Sequence, residues 1–379
     1  MNDAVIVAAA RTPTGKRNGS LSAVHPADLS AYVLGELAAR TGIDPAVVDD
    51  VIWGCVSQVG EQTFDIARTS LLSAGWPESV PGTTVDRQCG SSQQAVHFAA
   101  AGLISGQYEV VVAGGVESMS RVPMGSAVTA NPLGPRYVQR YGSQFPNQGI
   151  GAEMIADKWG LSRLQLDEFA LMSHERAAAA TDGGLFTEEI TPVETGGVTV
   201  SADEGIRRGG TVEALSKLAT PFREDGRITA ASSSQISDGA AALLMMTSQK
   251  AAELGFSPLA RIHTAVLAGV PPMPMLTGPI PATQKALAKS GLRFADIGVF
   301  EVNEAFASVV LAWAAEFDAD MTKVNPRGGA IALGHPLGAS GARLMTTMVH
   351  HMRANNIRYG LQTMCEGGGQ ANATIIELL

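Results

Sequence analysis

The stretch Val85–Gln94, VDRQCGSSQQ, decides how the chain is read. Thr83, Thr84 and Val85 make a β-branched approach to Cys89; Gly90, Ser91 and Ser92 follow, and a small-residue helix is expected over Gln93–Ile104. A strand that turns sharply into a helix sets the turn side chain beside unpaired N–H groups and the positive end of the helix dipole. There the Cys89 thiol is expected to ionise more readily than a free one, as a sulfur nucleophile requires. The competing reading is an inert cysteine packed as a small hydrophobe. The stretch alone does not choose between them.

Outward from it, strands alternate with helices. Val5–Ala9 reads as a first strand, Asp28–Arg40 as a helix capped by Asp28 or Ser30, and Val47–Val56 holds a further strand with Cys55 inside its apolar run. Phe64–Ala74 reads as a helix and Glu109–Ala113 as an apolar strand ending in Gly114–Gly115. Unbroken apolar strands alternating with helices imply an α/β core covered on both faces. From Ser120 to Ser237 the texture changes. Ser120–Gly149 has no clean period, helices are expected near Gly151–Trp159 and Gln165–Ala180, and a polar, Gly-rich stretch runs to about Arg227. This segment reads as an insertion over the core, which resumes at Asp238–Thr247.

The last third repeats the order of the first. Ile297–Val302 is a strand leading to Asn303, Glu304 and the helix Ala305–Phe317; Gly328–Gly341 is a glycine-rich turn opening the helix Ala342–Arg353. Tyr359–Met364 is a strand ahead of Cys365 and Gly367–Gly369, and Ala373–Glu377 is the last strand. Turn, helix, strand and glycines thus occur twice, which suggests two related halves.

A chain of 379 residues, 45% hydrophobic and 17% charged, implies two or three globular domains. A net charge of −9 argues against binding nucleic acid or an acidic membrane, though not against a phosphorylated ligand held by a local cationic patch. Three scattered cysteines make neither a disulfide framework nor a zinc site, so a reducing, cytoplasmic location is expected. The apolar run Ala4–Ala10 has no basic residue before it and reads as a buried strand, not a signal peptide; no run is long enough to span a membrane. Cys55, in its apolar run, reads as structural. Of the seven histidines, His97, His174, His350 and His351 occupy helical positions, and His25 and His263 have no evident chemical neighbours. His335, between Gly334 and Pro336, is the candidate for chemistry, because the glycines let backbone approach a ligand. Cys365 and Asn303 each end a strand, where α/β folds place ligand contacts, and the glycine amides after Cys365 can serve as an oxyanion hole.

Seven blocks then match a family: RTPTGKRNGSL (Arg11–Leu21), VDRQCGSSQQA (Val85–Ala95), AGGVESMS (Ala113–Ser120), SDGAAA (Ser237–Ala242), EVNEAFASVV (Glu301–Val310), GGAIALGHPLGASGAR (Gly328–Arg343) and CEGGGQA (Cys365–Ala371). In order and from end to end, they resemble the thiolases, the acyl-CoA acetyltransferases. The resemblance implies a five-layer α-β-α-β-α core from two similar halves: residues 1–119 with 238–258, and 259–379, with 120–237 inserted as a loop domain for coenzyme A binding and oligomer contacts. It implies Cys89 as the nucleophile that carries the acyl group, His335 as the base, and Cys365 as the second acid/base. Asn303 would hold a water that, with His335, binds the thioester oxygen of the enolate. The N–H groups of Cys89 and Gly367 would form a second oxyanion hole, and Ser234 would contact coenzyme A. No tightly bound cofactor is expected. Coenzyme A enters as co-substrate with 3-ketoacyl-CoA or acetyl-CoA, in a homodimer or homotetramer, with fatty acid degradation as the setting.

Arg207, Arg208, Lys217, Arg223 and Arg227 are the candidate cations for the coenzyme A phosphates. The chain departs from the common family pattern at Asp86, Ser92, Ala219 and Gln235, and Asn147 stands where short-chain biosynthetic members have a histidine. Ser92 is expected to shape the acyl pocket. The wording of QCGSSQQA and SSSQISDGAAA is closer to degradative thiolases, including those acting on steroid-derived acyl groups. The alternatives are a biosynthetic acetoacetyl-CoA thiolase, a ketoacyl synthase, against which Cys365 in CEGGG speaks, and a thiolase-like acyl-CoA-binding scaffold without catalysis.

Overall fold

Why this chain stacks in layers follows from its strands, which are apolar on both faces. In the computed structural model, which describes residues 2–379, the first part forms strands β1 (Val5–Arg11) and β2 (Gly15–Lys16), helix α1 (Pro26–Thr41), β3 (Asp50–Gly54), α2 (Ile66–Ser73), β4 (Gly82–Val85), α3 (Ser91–Ser105) and β5 (Val110–Ser118). Helices α4 (Pro135–Tyr141), α5 (Gln148–Lys158) and α6 (Arg163–Asp182), a hairpin of β6 (Val193–Thr195) and β7 (Val198–Val200), and α7 (Val212–Ser216) lie between β5 and β8 (Ser237–Met246). Then come α8 (Ser248–Glu253), β9 (Ala260–Gly269), α9 (Pro279–Ser290), β10 (Val299–Val302), α10 (Ala307–Phe317), α11 (Ala330–Leu333), α12 (Ser340–Asn355), β11 (Tyr359–Glu366) and β12 (Gln370–Leu378).

Successive residues of β5 point to opposite layers. Val110 and Val112 join Leu29, Val33, Leu37, Ile66 and Leu71 of α1 and α2. Val111 and Ala113 join Ala95, Val96 and Leu103 of α3 and Met345 and Met348 of α12. Beyond the second half-sheet, Phe300, Leu361 and Ile375 pack with Ala282 of α9 and Val310 and Trp313 of α10. The order is therefore helices, sheet, the central pair α3 and α12, sheet, helices: five layers.

The two half-sheets have one topology. In the first, β4-β3-β5-β8-β1, the pairs β4–β3 and β3–β5 are parallel and the pairs β5–β8 and β8–β1 antiparallel. In the second, β10-β11-β12-β9, the pair β10–β11 is parallel and the others antiparallel, and a parallel bridge from Phe300 to Val324 stands where β4 stands in the first. The half-sheets join edge to edge where Val5 and Ile6 face Arg261 and Ala260. Helices α1, α2 and α3 thus correspond to α9, α10 and α12. The central pair touches at its first turns. A Cβ on Gly341 would lie 2.3 Å from the Gln93 nitrogen, and the Ala342 N–H donates to Ser92 Oγ at 2.9 Å. Glycine is required there.

Several boundaries differ from expectation. β5 does not stop at Gly114–Gly115, since both keep their pairing with β3 and β8 and the strand runs to Ser118. β11 extends two residues past Met364, so Cys365 is a strand residue opposite Ala371. The cap of α1 is His25, whose Nδ1 accepts the Ala27 N–H at 3.2 Å, not Asp28 or Ser30. α2 starts only at Ile66, because Phe64 and Asp65 are left-handed at φ 58° and 52°. Ser120–Gly149, expected to be irregular, contains α4.

Candidate active site

Cys89 sits between β4 and α3 in a turn held by its own side chains. Asp86 Oδ1 accepts the Gln88 N–H at 2.7 Å, the Arg87 N–H donates to Ser91 Oγ at 2.9 Å, and Ser91 Oγ donates to the Gln88 carbonyl at 2.6 Å. Gln88 is left-handed at φ 49°, a conformation that costs a non-glycine residue on the order of 1 kcal/mol. The turn then leaves Cys89 3% exposed, packed with Met119, Leu337 and Met364. Its own N–H and that of Gly367 face the sulfur.

The expectation of a readily ionised thiol is not met. Burial, with the Glu366 carboxylate beside it, pushes the Cys89 thiol up to about 12, outweighing the two amide donors. Cys365 lies close enough for the charges of Cys89 and Glu366 to bear on it, and burial pushes its thiol well up too. Glu366 is itself buried, with neither oxygen hydrogen-bonded among the described residues, and burial pushes it up to about 8. Its Oε1 would lie 2.1 Å from a Cβ on Gly90, and Asn372 Nδ2 2.6 Å, so any side chain after Cys89 would have to displace both of these buried groups.

The candidate base comes from the other half. His335 is 3% exposed in the loop before α12, the position that Cys89 occupies before α3. Its Nδ1 lies 2.6 Å from Ser340 Oγ, and that hydroxyl donates its hydrogen to the Pro336 carbonyl at 2.8 Å. Ser340 therefore accepts from Nδ1–H, and Nε2 is left with its lone pair, 3.4 Å from the Asn303 amide nitrogen. Burial, aided by the Arg343 charge, pushes His335 down to about 3, so the ring is neutral. Asn303 is 1% exposed, and its Oδ1 is buried without a partner among the described residues.

Two carboxylates hold these loops in place, and the sequence reading passed over both. Glu117 accepts the N–H groups of Val56, Ser57 and Gly338 at 2.9, 3.0 and 2.9 Å and Gln62 Nε2 at 2.8 Å, fastening the His335 loop to the first half. Glu304 accepts from Ser173 Oγ at 2.6 Å, Asn325 Nδ2 at 2.9 Å and the Ile331 N–H at 3.1 Å. Each was quoted within a motif. A charged residue at the end of an apolar strand is the signal that marks such a group.

The departures are now placed. Ser92 does not shape an acyl pocket; it is fully buried and joins α3 to α12. Gln235 Nε2 donates to the Ile331 and Gly205 carbonyls at 2.7 and 2.9 Å, and the Gln235 backbone carbonyl accepts the His335 N–H at 3.2 Å. Asn147 caps α5. Ala219 makes no contact that explains the substitution.

Ser234 lines a groove of about 690 Å³ with Lys16, Arg17, Arg207 and Phe222. Of the five candidate cations, Arg208, Lys217, Arg223 and Arg227 are paired with Asp182, Glu213, Asp157 and again Asp157. Only Arg207 reaches this groove free of an ion pair among the described residues, joined by Lys16 and Arg17. A second pocket, about 370 Å³, lies beyond Gln88 and Gly367 and is walled by Leu133, Tyr137, Phe145 and Met275. Among the described residues, no helix is long and apolar enough to cross a membrane, and no group of three His, Cys, Asp or Glu side chains is placed to hold a metal.

A buried thiol facing two amide donors, with a neutral imidazole supplied from a second, like-folded half, is equipment for acyl transfer through a thioester. The chain is an acyltransferase. Models of the thiolase N-terminal and C-terminal domains match residues 4–249 and 256–378, and the chain belongs to the thiolase family. A steroid 3-ketoacyl-CoA thiolase of Mycobacterium tuberculosis is 52% identical over all of this chain and 95% of its own length. A 3-ketoacyl-CoA thiolase of Bacillus subtilis is 43% identical over the whole of both chains. The crystal structure of the Bacillus anthracis acetyl-CoA acetyltransferase superposes with a TM-score of 0.92 at 38% identity, covering 100% of this chain and 99% of that one.

Proposed function

We propose that the protein cleaves 3-ketoacyl-CoA with coenzyme A, giving acetyl-CoA and a shortened acyl-CoA through an acyl-Cys89 intermediate. The observation that supports this is Cys89 against the Gly367 amide and near Cys365, with Leu337 from the loop of the neutral His335 packed on it. Cys89 Sγ attacks the keto carbon as its proton passes to His335 Nε2. The N–H groups of Cys89 and Gly367 stabilise the tetrahedral oxyanion, each donor worth about 3 kcal/mol. The C–C bond then breaks and its electron pair leaves as the acetyl-CoA enolate, whose oxygen faces His335 and Asn303; Cys365 supplies the proton to carbon. A second coenzyme A gives its thiol proton to the Cys365 thiolate and takes the acyl group, the Cys89 sulfur leaves and recovers the proton held on His335, and the kinetics are ping-pong. Coenzyme A lies in the groove of Ser234, with Lys16, Arg17 and Arg207 for its phosphates.

The pocket past Gly367 receives the acyl group. Its aromatic and aliphatic walls, together with the 52% identity to a steroid 3-ketoacyl-CoA thiolase, favour a bulky or ring-bearing acyl group over the acetoacetyl substrate of biosynthetic members. A panel of acetoacetyl-CoA, 3-ketohexanoyl-CoA, 3-ketododecanoyl-CoA and an alicyclic 3-ketoacyl-CoA tests this. The expected kcat/KM rises from the first to the last, at least tenfold overall, as several buried methylenes allow. Best activity on acetoacetyl-CoA returns the protein to the biosynthetic reading, and no activity on any member leaves the scaffold reading. We place the enzyme in the cytoplasm as a homodimer or homotetramer, which light scattering of the purified chain checks.

A further inference from the structure

Each half-sheet sends a glutamate to the other half's turn, and the two glutamates are held differently. β5 and β11 take the same place in the two halves, and each carries a glutamate within its last two residues. Glu366 of β11 lies against Gly90 in the turn before α3, and neither of its oxygens has a partner among the described residues. Glu117 of β5 is fully buried against the loop before α12, and both of its oxygens are in use. Oε2 accepts the Val56 and Gly338 N–H groups, each at 2.9 Å; Oε1 accepts the Ser57 N–H at 3.0 Å and Gln62 Nε2 at 2.8 Å. All four partners are donors, and no cation is among them. A proton on either oxygen would face another N–H, so the donors hold a carboxylate against the burial that pushes Glu117 up.

Oε2 joins the nucleophile's side of the site to the candidate base's. Just before Val56, the Cys55 N–H donates to the Val85 carbonyl at 3.0 Å, where the Cys89 turn begins. Gly338 is three residues after His335, and Leu337 between them packs on Cys89. The approach leaves no room for a side chain. A Cβ on Gly338 would lie 2.7 Å from the Gly54 carbonyl oxygen and 2.8 Å from Cys55 Cα. One on Gly54 would lie 2.6 Å from the Ser91 carbonyl carbon, in the first turn of α3. Backbone from the end of β3, the start of α3 and the His335 loop therefore meets directly, and Glu117 bonds to the first and the last.

We propose that Glu117 is a positioning residue for acyl transfer, whose carboxylate sets the spacing between Cys89 and His335 by holding Val56 and Gly338 on one oxygen. The proposal rests on His335 being the base. Glu117 touches neither the substrate nor the reacting atoms; it acts through the two loops. Proton transfer from Cys89 to His335 depends steeply on their separation, and a shift of about 1 Å costs on the order of a hundredfold in rate.

Acylation of Cys89 by 3-ketohexanoyl-CoA, followed by quenched-flow mass spectrometry on the full chain, separates this from a structural role. Glu117→Asp keeps the charge and withdraws it by one methylene, so it no longer spans both loops. The maximal acylation rate falls about a hundredfold, while the half-saturating substrate concentration stays within about twofold of the wild type. Gln62→Met is the control. It removes a donor from Oε1 and leaves Val56 and Gly338 on Oε2, so acylation stays within about threefold of the wild type. Acylation within about threefold of the wild type in Glu117→Asp, or an equal loss in both variants, overturns the proposal. If Glu117→Asp does not fold, Glu117→Gln decides. With one acceptor oxygen for four donors it slows acylation about tenfold at an unchanged half-saturating concentration, and a wild-type rate overturns the proposal. Absence of acyl-Cys89 in the wild type overturns the parent reading of function, and this proposal with it.

Discussion

The turn before α3 and the loop before α12 occupy the same place in two halves of one topology, and they deliver opposite chemistry. The first presents a thiol with a carboxylate, Glu366, beside it. The second presents an imidazole with a guanidinium, Arg343, behind it. A negative charge beside a thiol opposes thiolate, and a positive charge behind an imidazole opposes imidazolium. Burial is the larger cause in both halves, and each holds its group neutral, Cys89 pushed up to about 12 and His335 down to about 3, with Glu366 adding its charge only above pH about 8, where it ionises. The difference teaches that the reactive ion pair is not a standing feature of the site. In the mechanism we propose, it forms only as the proton passes from one half to the other during attack, where the amides of Cys89 and Gly367 would meet the developing oxyanion.

The largest test of this division of labour is Cys365→Ala. That variant keeps the nucleophile, the base and the oxyanion donors, so it still acylates Cys89 from a simple acyl-CoA. It loses the proton donor to the enolate, and thiolysis of 3-ketoacyl-CoA falls by about a thousandfold, within the range for general acid catalysis. If acylation is lost and cleavage kept, the two cysteines have exchanged roles.

A smaller effect isolates the thiol's neighbour. Below pH about 8 Glu366 is protonated in the folded site and resembles glutamine; above it, the new carboxylate charge raises the Cys89 thiol further. Alkylation of Cys89 by iodoacetamide in the wild type and in Glu366→Gln should therefore coincide near pH 7. Above pH 8 the variant should run ahead, by up to about tenfold for one pK unit. Parallel profiles across the whole range would remove Glu366 from the account.

How much of this was readable beforehand depends on whether a feature is local. The duplicated order of turn, helix, strand and glycines came from short-range patterns, and the two halves carry it in the structure. Cys89, His335, Asn303 and Cys365 stood out because each breaks an apolar or glycine-rich run. β9 and α9 drew no reading: β9 alternates buried and half-buried residues, and α9 begins at Pro279 after a proline-rich run that hides its start. The charge environment was also hidden. Local reasoning from a helix N-terminus argued for an acidic thiol at Cys89, and burial plus Glu366, some 280 positions away in the chain, reversed it. Ser92 was misplaced for the same reason, because its partner, Ala342, belongs to the other half.

The central claim is that the acyl group is carried on Cys89. The most direct measurement is intact and peptide mass spectrometry of the wild type mixed with a 3-ketoacyl-CoA in the absence of free coenzyme A. The account predicts one acyl group, of the mass left after loss of acetyl-CoA, on the peptide containing Cys89, discharged on adding coenzyme A and absent in Cys89→Ala. Acylation of Cys365 instead, or full turnover by Cys89→Ala, would contradict it.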